Sequence, residues 1–362
     1  AWSTIVFVPR LSGSTMRVFV VIPVYNEGDA VRTVVDDVSR YVAAGDVVVV
    51  RLFAAVPDAQ ARALLDAAWD SGCRSFDTAP HYGHGLSEQR LGNALRAQPR
   101  DAFTLSSKVG RLLTPDATVP SEQHGYVGGL PFRQHWDYSA AGVRRSVEDS
   151  LRRLGLDRLD AAFVHDCDTA THGANADAVR RQVIEETLPA LRTLQREGLV
   201  SAVGLGVNDA AIVQGVLREA ELDVLLLAGR YSLLDHTALP ELLPLCAQRG
   251  VRIALGGAFN SGLLVTGTRG GHTARFNYAP AAREWVERNA RLEAIGAKHG
   301  VPLRAAALQF PLAHSAIEIV LVGARSAAEW QDAMAMARHP VPAAYWRDLR
   351  AAGLLPPDAP TP

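Results

Sequence analysis

The sequence has little cysteine, little methionine and almost no net charge, and each shortage narrows what the chain can be. Its three cysteines, Cys73, Cys167 and Cys246, stand far apart with no paired spacing. That excludes a disulfide framework and a zinc site, so no metal is expected, and it suits a reducing, cytoplasmic compartment. Lysine plus arginine (37) and aspartate plus glutamate (38) nearly cancel, and no basic run is present, so nucleic acid is not expected as a partner. No apolar stretch approaches the ~20 residues of a membrane span, so a membrane is not expected either. The opening AWSTIVFVPR lacks the basic start, apolar core and small-residue cleavage site of a signal peptide. The chain opens on Ala1, and Met16 is a candidate start.

What is present is an apolar chain with a regular rhythm. At 362 residues and 48% hydrophobic it can bury a full core, and single α/β barrels run to this length. From Pro57 onward short apolar runs alternate with amphipathic ones. Strands are expected at 74–77, 103–108, 159–165, 202–205, 223–227, 251–255 and 319–322. Helices are expected after Asp58, Ser87 and Ser139, and over 184–197, 209–219, 240–249, 282–299 and 327–337. Seven β-then-α units with apolar strands predict a parallel sheet covered by helices, closed as a barrel. The segment 111–137, rich in Gly, Pro and His, is too long for a connector and is expected to cover a substrate site. Residues 1–15 carry no pattern, and the ending LLPPDAPTP, within a tail over 347–362, reads as disordered.

Three expected strands end in ionisable residues: Asp77, Lys108 and His165, with Tyr82 in the loop after the first. In a parallel barrel all four meet at the carboxyl end, where such barrels keep their chemistry. One Asp, Lys or His at a strand end is usually a cap or a surface group; four at this joint spacing make an acid/base site. His81 and His84 flank the tyrosine without a third ligand at fixed spacing, so they read as solvated loop residues.

The phrases FDTAPHYG, LSSKVG and FVHD resemble the aldo-keto reductase superfamily. The longer stretches DTAPHYGHGLSEQRLG, LLLAGRYSLLD, GGAFNSGLL, ALQFPLAH and VLVGARS are similar to its D-threo-aldose 1-dehydrogenase (L-fucose dehydrogenase) branch, over roughly residues 51–346. The resemblance implies a (β/α)8 TIM barrel and hydride transfer between a small sugar or aldehyde and NAD or NADP. Tyr82 would be the general acid/base, and Lys108 would favour its phenolate. Asp77 would hold Lys108, and His165 would steer the reacting oxygen. An aldose oxidised at C1 would leave as a lactone.

For the cofactor the resemblance implies Asn208 at the nicotinamide amide and Phe259, Asn260, Ser261 and Gly262 around the pyrophosphate. It implies Gly323, Arg325 and Ser326 around the adenosine, with Glu329 near the adenine. Trp136 and His165 would touch substrate. Two family positions depart from the pattern: the aromatic that stacks on the nicotinamide is replaced around Gly256, and the usual glutamine falls at Ala228 or Gly229. Glu329, with no second basic residue in the Arg325 loop, tilts the expectation to NAD.

Residues 16–50 differ in style. RVFVVIPVYNEGDA followed by DVVVV reads as a βαβ segment and resembles the opening of a nucleotide-sugar glycosyltransferase. The aldo-keto family's own opening hairpin and first strand are missing before Arg51. Either Val47–Val50 stands in as the first barrel strand or the barrel is incomplete. Oxidation of pyridoxal is a close alternative to oxidation of an aldose. A sugar-nucleotide-binding protein led by residues 16–50 and an inactive chimera are more distant ones.

Overall fold

The structure is a computed structural model, described for residues 18–21, 56–267 and 274–362. Eight parallel strands close into a barrel. They are β1 (Val18–Val21), β2 (Ser75–Asp77), β3 (Thr104–Val109), β8 (Ala161–His165), β9 (Val203–Val207), β10 (Val224–Ala228), β11 (Arg252–Gly256) and β14 (Ile317–Gly323). Each pairs with the next in the sequence, and β14 returns to β1. The middle strands are buried nearly throughout, as β9 shows with all five residues buried. That is the pattern of strands covered on both faces.

The helices follow from their sequences. In Asp58–Asp70 the residues at helical spacing, Ala61, Leu64, Leu65 and Ala68, are the buried ones. Helix Ala140–Leu154 starts where Ser139 accepts a hydrogen bond from the Gly142 N–H, and ends at Gly155, whose φ of 66° is left-handed. In Leu188–Arg196 the buried residues are Leu188, Leu191 and Leu194.

Four expectations are corrected. The slot between β14 and β2 is filled by Val18–Val21, with Val20 in register with Val322 on one side and Phe76 on the other. So the barrel is complete, and Val47–Val50, which lie outside the described residues, are not needed there. The β-branched run after Met16 carries the strand tendency that closes the ring. The rest of the expected βαβ segment, and residues 1–15, also lie outside the described residues.

The segment 111–137 is not a plain loop. It folds as the antiparallel pair β4 (Arg111–Pro115) with β7 (Phe132–Trp136), enclosing the short pair β5 (Glu122–Gln123) and β6 (Tyr126–Val127). A second small pair, β12 (Arg275–Phe276) and β13 (Ala279–Pro280), lies before the helix Arg283–His299. The helix expected over 184–197 begins earlier, at Ala176, and passes through a wide π turn at Val183–Thr187.

The C-terminal tail is ordered. A helix spans Ala343–Ala351, across the expected boundary at 346–347, and Leu354, Leu355 and Ala359 are buried. Arg288 donates to the Leu354 carbonyl at 2.6 Å and Arg350 to the Ala359 carbonyl at 2.8 Å. Two adjacent leucines have enough apolar surface to dock, and that outweighs the proline content that suggested disorder.

Candidate active site

The carboxyl ends of β2, β3 and β8 deliver Asp77, Lys108 and His165 to one place, and the turn after β2 brings Tyr82 over them. Lys108 Nζ donates to Asp77 Oδ2 at 2.6 Å and to the Thr78 carbonyl at 2.9 Å. Both ends of this ion pair are buried, 2% exposed for Lys108 and 1% for Asp77. The other Asp77 oxygen accepts from Ser106 Oγ at 2.6 Å, so both carboxylate oxygens are engaged. A buried charge is tolerable only when paired in this way. The Lys108 ammonium also stands 4.6 Å from the centre of the Tyr82 ring.

The Tyr82 turn is fastened to the barrel. Ser87 N–H donates to the Tyr82 carbonyl at 3.2 Å, and Thr78 Oγ1 donates to Ser87 Oγ at 2.8 Å. Glu88 is fully buried. It accepts from Ser107, the neighbour of Lys108, at 2.8 Å and from Arg153 Nε at 2.5 Å.

His165 packs edge-to-face on Tyr82, ring centres 6.1 Å apart. Burial, and then the cations Arg111 and Lys108, hold its pKa well below the usual histidine value, so the ring is neutral at physiological pH. Its 3.4 Å approach to Asp166 is therefore a polar contact and not an ion pair.

The small sheets after β3 wall the mouth. His81 meets Gln134 Oε1 at 2.6 Å, and His84 Nε2 lies 3.2 Å from His124 Nδ1. The expectation that His81 and His84 are solvated loop histidines is corrected: both are buried, His81 7% and His84 1% exposed, because the small sheets pack over them. Burial keeps both neutral, with His84 lowered to about 4. Trp136 is 37% exposed, but the Arg111 guanidinium lies 3.9 Å over its ring. Tyr138 packs beside Trp136 and donates to the His165 carbonyl at 2.7 Å. Gly110, at φ 99°, makes room for it: a Cβ there would come within 2.4 Å of the Tyr138 ring. Arg111, Asp166 and Tyr138 were missed in the sequence. Their only signal was position, beside Lys108–Gly110 and His165.

The residues expected at a cofactor also sit past carboxyl strand ends. Asn208 follows β9. Phe259–Gly262 follow β11, and there Phe259 (φ −94°, ψ 4°) is followed by the left-handed Asn260 (φ 46°). A right-then-left pair can turn N–H groups toward a phosphate, but here the Asn260 N–H donates to the Gly257 carbonyl at 2.9 Å and the Gly262 N–H to the Phe259 carbonyl at 3.0 Å, so the Ser261 N–H is the one left to face it. The Asn260 side chain is buried and committed to the protein, accepting from Ser232 Oγ at 2.5 Å. After β14, Gly323 leads to Arg325, whose guanidinium and N–H both bind Glu329, at 2.5 and 2.7 Å. Ser326 caps the following helix, Ala327–Ala337, accepting from the Glu329 N–H at 3.2 Å. The anion at this helix start is the Glu329 carboxylate itself, which accepts from the Arg325 N–H. The residues present fit a dinucleotide.

Residues 50–353 match the Aldo/keto reductase family model. The chain belongs to the aldo/keto reductase family. It is similar to pyridoxal 4-dehydrogenase of Microbacterium luteolum, 42% identical over 319 residues (84% of this chain, 91% of that protein). It is 39% identical over 310 residues to D-threo-aldose 1-dehydrogenase of a Pseudomonas species, with the same coverage. Among solved structures, an aldo-keto reductase from Bacillus halodurans in its holo form superposes with a TM-score of 0.62 at 24% identity, covering 82% of this chain and 88% of that one. As an aldo-keto reductase the chain is an NAD(P)-dependent oxidoreductase on a (β/α)8 barrel. Among the described residues no group of three or more metal-ligating side chains is placed to hold an ion, and no helix is long and apolar enough to cross a membrane.

Proposed function

We propose that this aldo-keto reductase oxidises an aldose, L-fucose or a related D-threo sugar, at C1 to the lactone, with NAD as acceptor. The observation that carries the reading is the buried Asp77–Lys108 pair set against the Tyr82 ring. The bound nicotinamide supplies the hydride acceptor at its C4. The protein does the rest. Tyr82 takes the C1 hydroxyl proton, and the nearby Lys108 ammonium favours the phenolate that receives it. Asp77 pairs with Lys108 and fixes it in a buried place. Neutral His165 hydrogen-bonds the reacting oxygen and orients it.

Asn208 is proposed at the nicotinamide amide, and the Phe259–Gly262 turn at the pyrophosphate. Asn260 acts there through the loop conformation that its side chain secures. Gly323, Arg325 and Ser326 line the adenosine side, with Glu329 beside them. Glu329 is what favours NAD: its carboxylate already engages Arg325 and would repel a 2′-phosphate, whereas a ribose 2′-hydroxyl can donate to it. Trp136 borders the substrate, with one face covered by Arg111.

A second reading is oxidation of pyridoxal, favoured by the 42% identity to the Microbacterium pyridoxal 4-dehydrogenase. Both substrates form cyclic hemiacetals that lose hydride to give lactones, so the proton chemistry is shared. The test is reduction of NAD and NADP by the purified chain with L-fucose, D-arabinose and pyridoxal offered separately. Turnover of a sugar with NAD, reduced at least ~100-fold in Tyr82→Phe with cofactor affinity unchanged, is the expected result. A fully active Tyr82→Phe variant sinks the mechanism, and turnover of pyridoxal alone moves the substrate to the second reading.

A further inference from the structure

Asp166 directly follows His165, and its backbone is left-handed, with φ 46°. That conformation is uncommon for a residue other than glycine, and it persists only where surroundings enforce it. Here its N–H donates to the Gly206 carbonyl at 3.1 Å, and Tyr138 binds the carbonyl just before it. The strain turns the Asp166 carboxylate back over the site. Oδ2 accepts from Arg111 Nη2 at 2.6 Å and stands 3.4 Å from His165 Nε2. Oδ1 has no hydrogen-bond partner among the described residues, and the side chain is 24% exposed. Arg111 is itself held over the Trp136 ring, its guanidinium carbon 3.9 Å from the ring centre, so the carboxylate is fixed in place.

We propose that Asp166 is a specificity residue that reads the hydroxyl on the carbon next to the one oxidised, with Arg111 as its positioning residue. This rests on the reading of the substrate as an aldose. A reacting oxygen on His165 Nε2 lies within two hydrogen-bond lengths of the Asp166 carboxylate. Oxygens on adjacent carbons are about one such length apart, ~2.8 Å, so the neighbouring hydroxyl bridges the remaining gap and donates to Oδ1. A substrate lacking that hydroxyl leaves a desolvated carboxylate oxygen unpaired, and a site built for a hydroxyl rejects such an analogue strongly.

The experiment compares L-fucose with 2-deoxy-L-fucose in the wild type, Asp166→Asn and Arg111→Met, with NAD saturating. Asparagine tolerates the left-handed backbone and keeps the size, so Asp166→Asn is the variant of choice. The wild type is expected to prefer the hydroxylated sugar by about 10- to 100-fold in kcat/KM, the range of a charged hydrogen bond. In Asp166→Asn that ratio falls several-fold, because the amide oxygen still accepts but without the charge, through a higher KM for L-fucose and little change for the deoxy sugar. Arg111→Met shifts the ratio the same way by less. An unchanged ratio in Asp166→Asn, or equal losses on both sugars, overturns the inference while leaving the aldose reading intact. A wild type that oxidises neither sugar overturns both.

Discussion

Lys108 binds Asp77 and the Thr78 carbonyl on one side and faces the Tyr82 ring on the other. Its charge therefore acts on the residue proposed to move the proton. An ammonium this close to the ring favours the phenolate over the phenol. In Lys108→Met the pH at which oxidation reaches half its maximal rate is expected to move up, by on the order of one unit or more, with KM for NAD little changed. Asp77→Asn in the same chain removes the carboxylate left unpaired and is expected to preserve the shift. A pH–rate profile settles it: the same midpoint in both chains removes Lys108 from the proton chemistry. The four residues of this centre were legible in the sequence because each lies at a strand end or in its turn, and strand ends follow from local pattern. Asp166 and Arg111 were not. Their pairing joins residues 55 apart, and a left-handed backbone at a non-glycine leaves no mark in the sequence.

The helix Leu86–Leu95 carries the Tyr82 turn at its start and lies against the helix Ala140–Leu154. Their crossing depends on Gly92, where an added Cβ would come within 2.1 Å of the Leu154 carbonyl oxygen and 2.6 Å of its carbon. Backbone cannot yield as a side chain does, so Gly92→Ala must push the helices apart. Overpacking of this kind costs about 1–3 kcal/mol, which lowers Tm by roughly 1–4 °C in a chain of this size. The buried Glu88–Arg153 pair spans the same contact, so the Tyr82 turn moves with it and kcat falls as well. Calorimetry with a parallel rate measurement checks both; an unchanged Tm would show that the helices do not meet at Gly92. At this scale the sequence was partly readable. Helix periodicity located the elements, and Ser139 and Gly155 marked two ends. The two small sheets within 111–137 were hidden because their strands are two to five residues long, too short for alternation to declare itself.

For the molecule as a whole, the barrel was legible from the repeated β-then-α rhythm, while the strand that closes it was not. Val18–Val21 stands in a stretch whose wording resembles a different family, and only the pairing with β14 and β2 shows its place. The histidines were equally opaque, since burial is a property of the finished fold. His81, His84, His165 and His236 are all held neutral, first of all by burial, with His84 and His236 lowered to about 4. In the unfolded chain each returns to an ordinary value near 6.5. Between those limits the unfolded state binds more protons than the folded one, so stability rises with pH across that window. It is complete above about pH 6.5 and is lost progressively as the pH falls from there toward 4, before most carboxylates begin to titrate. Thermal unfolding followed from pH 8 to pH 4 should show a level Tm down to about pH 6.5 and a steady fall below it. Replacing His236, which is not one of the proposed site residues, with glutamine should make that fall shallower, because one fewer group takes up a proton on unfolding. A Tm that stays level to pH 4.5 would mean that the buried histidines are charged in the folded chain, and that His165 meets the reacting oxygen as a cation.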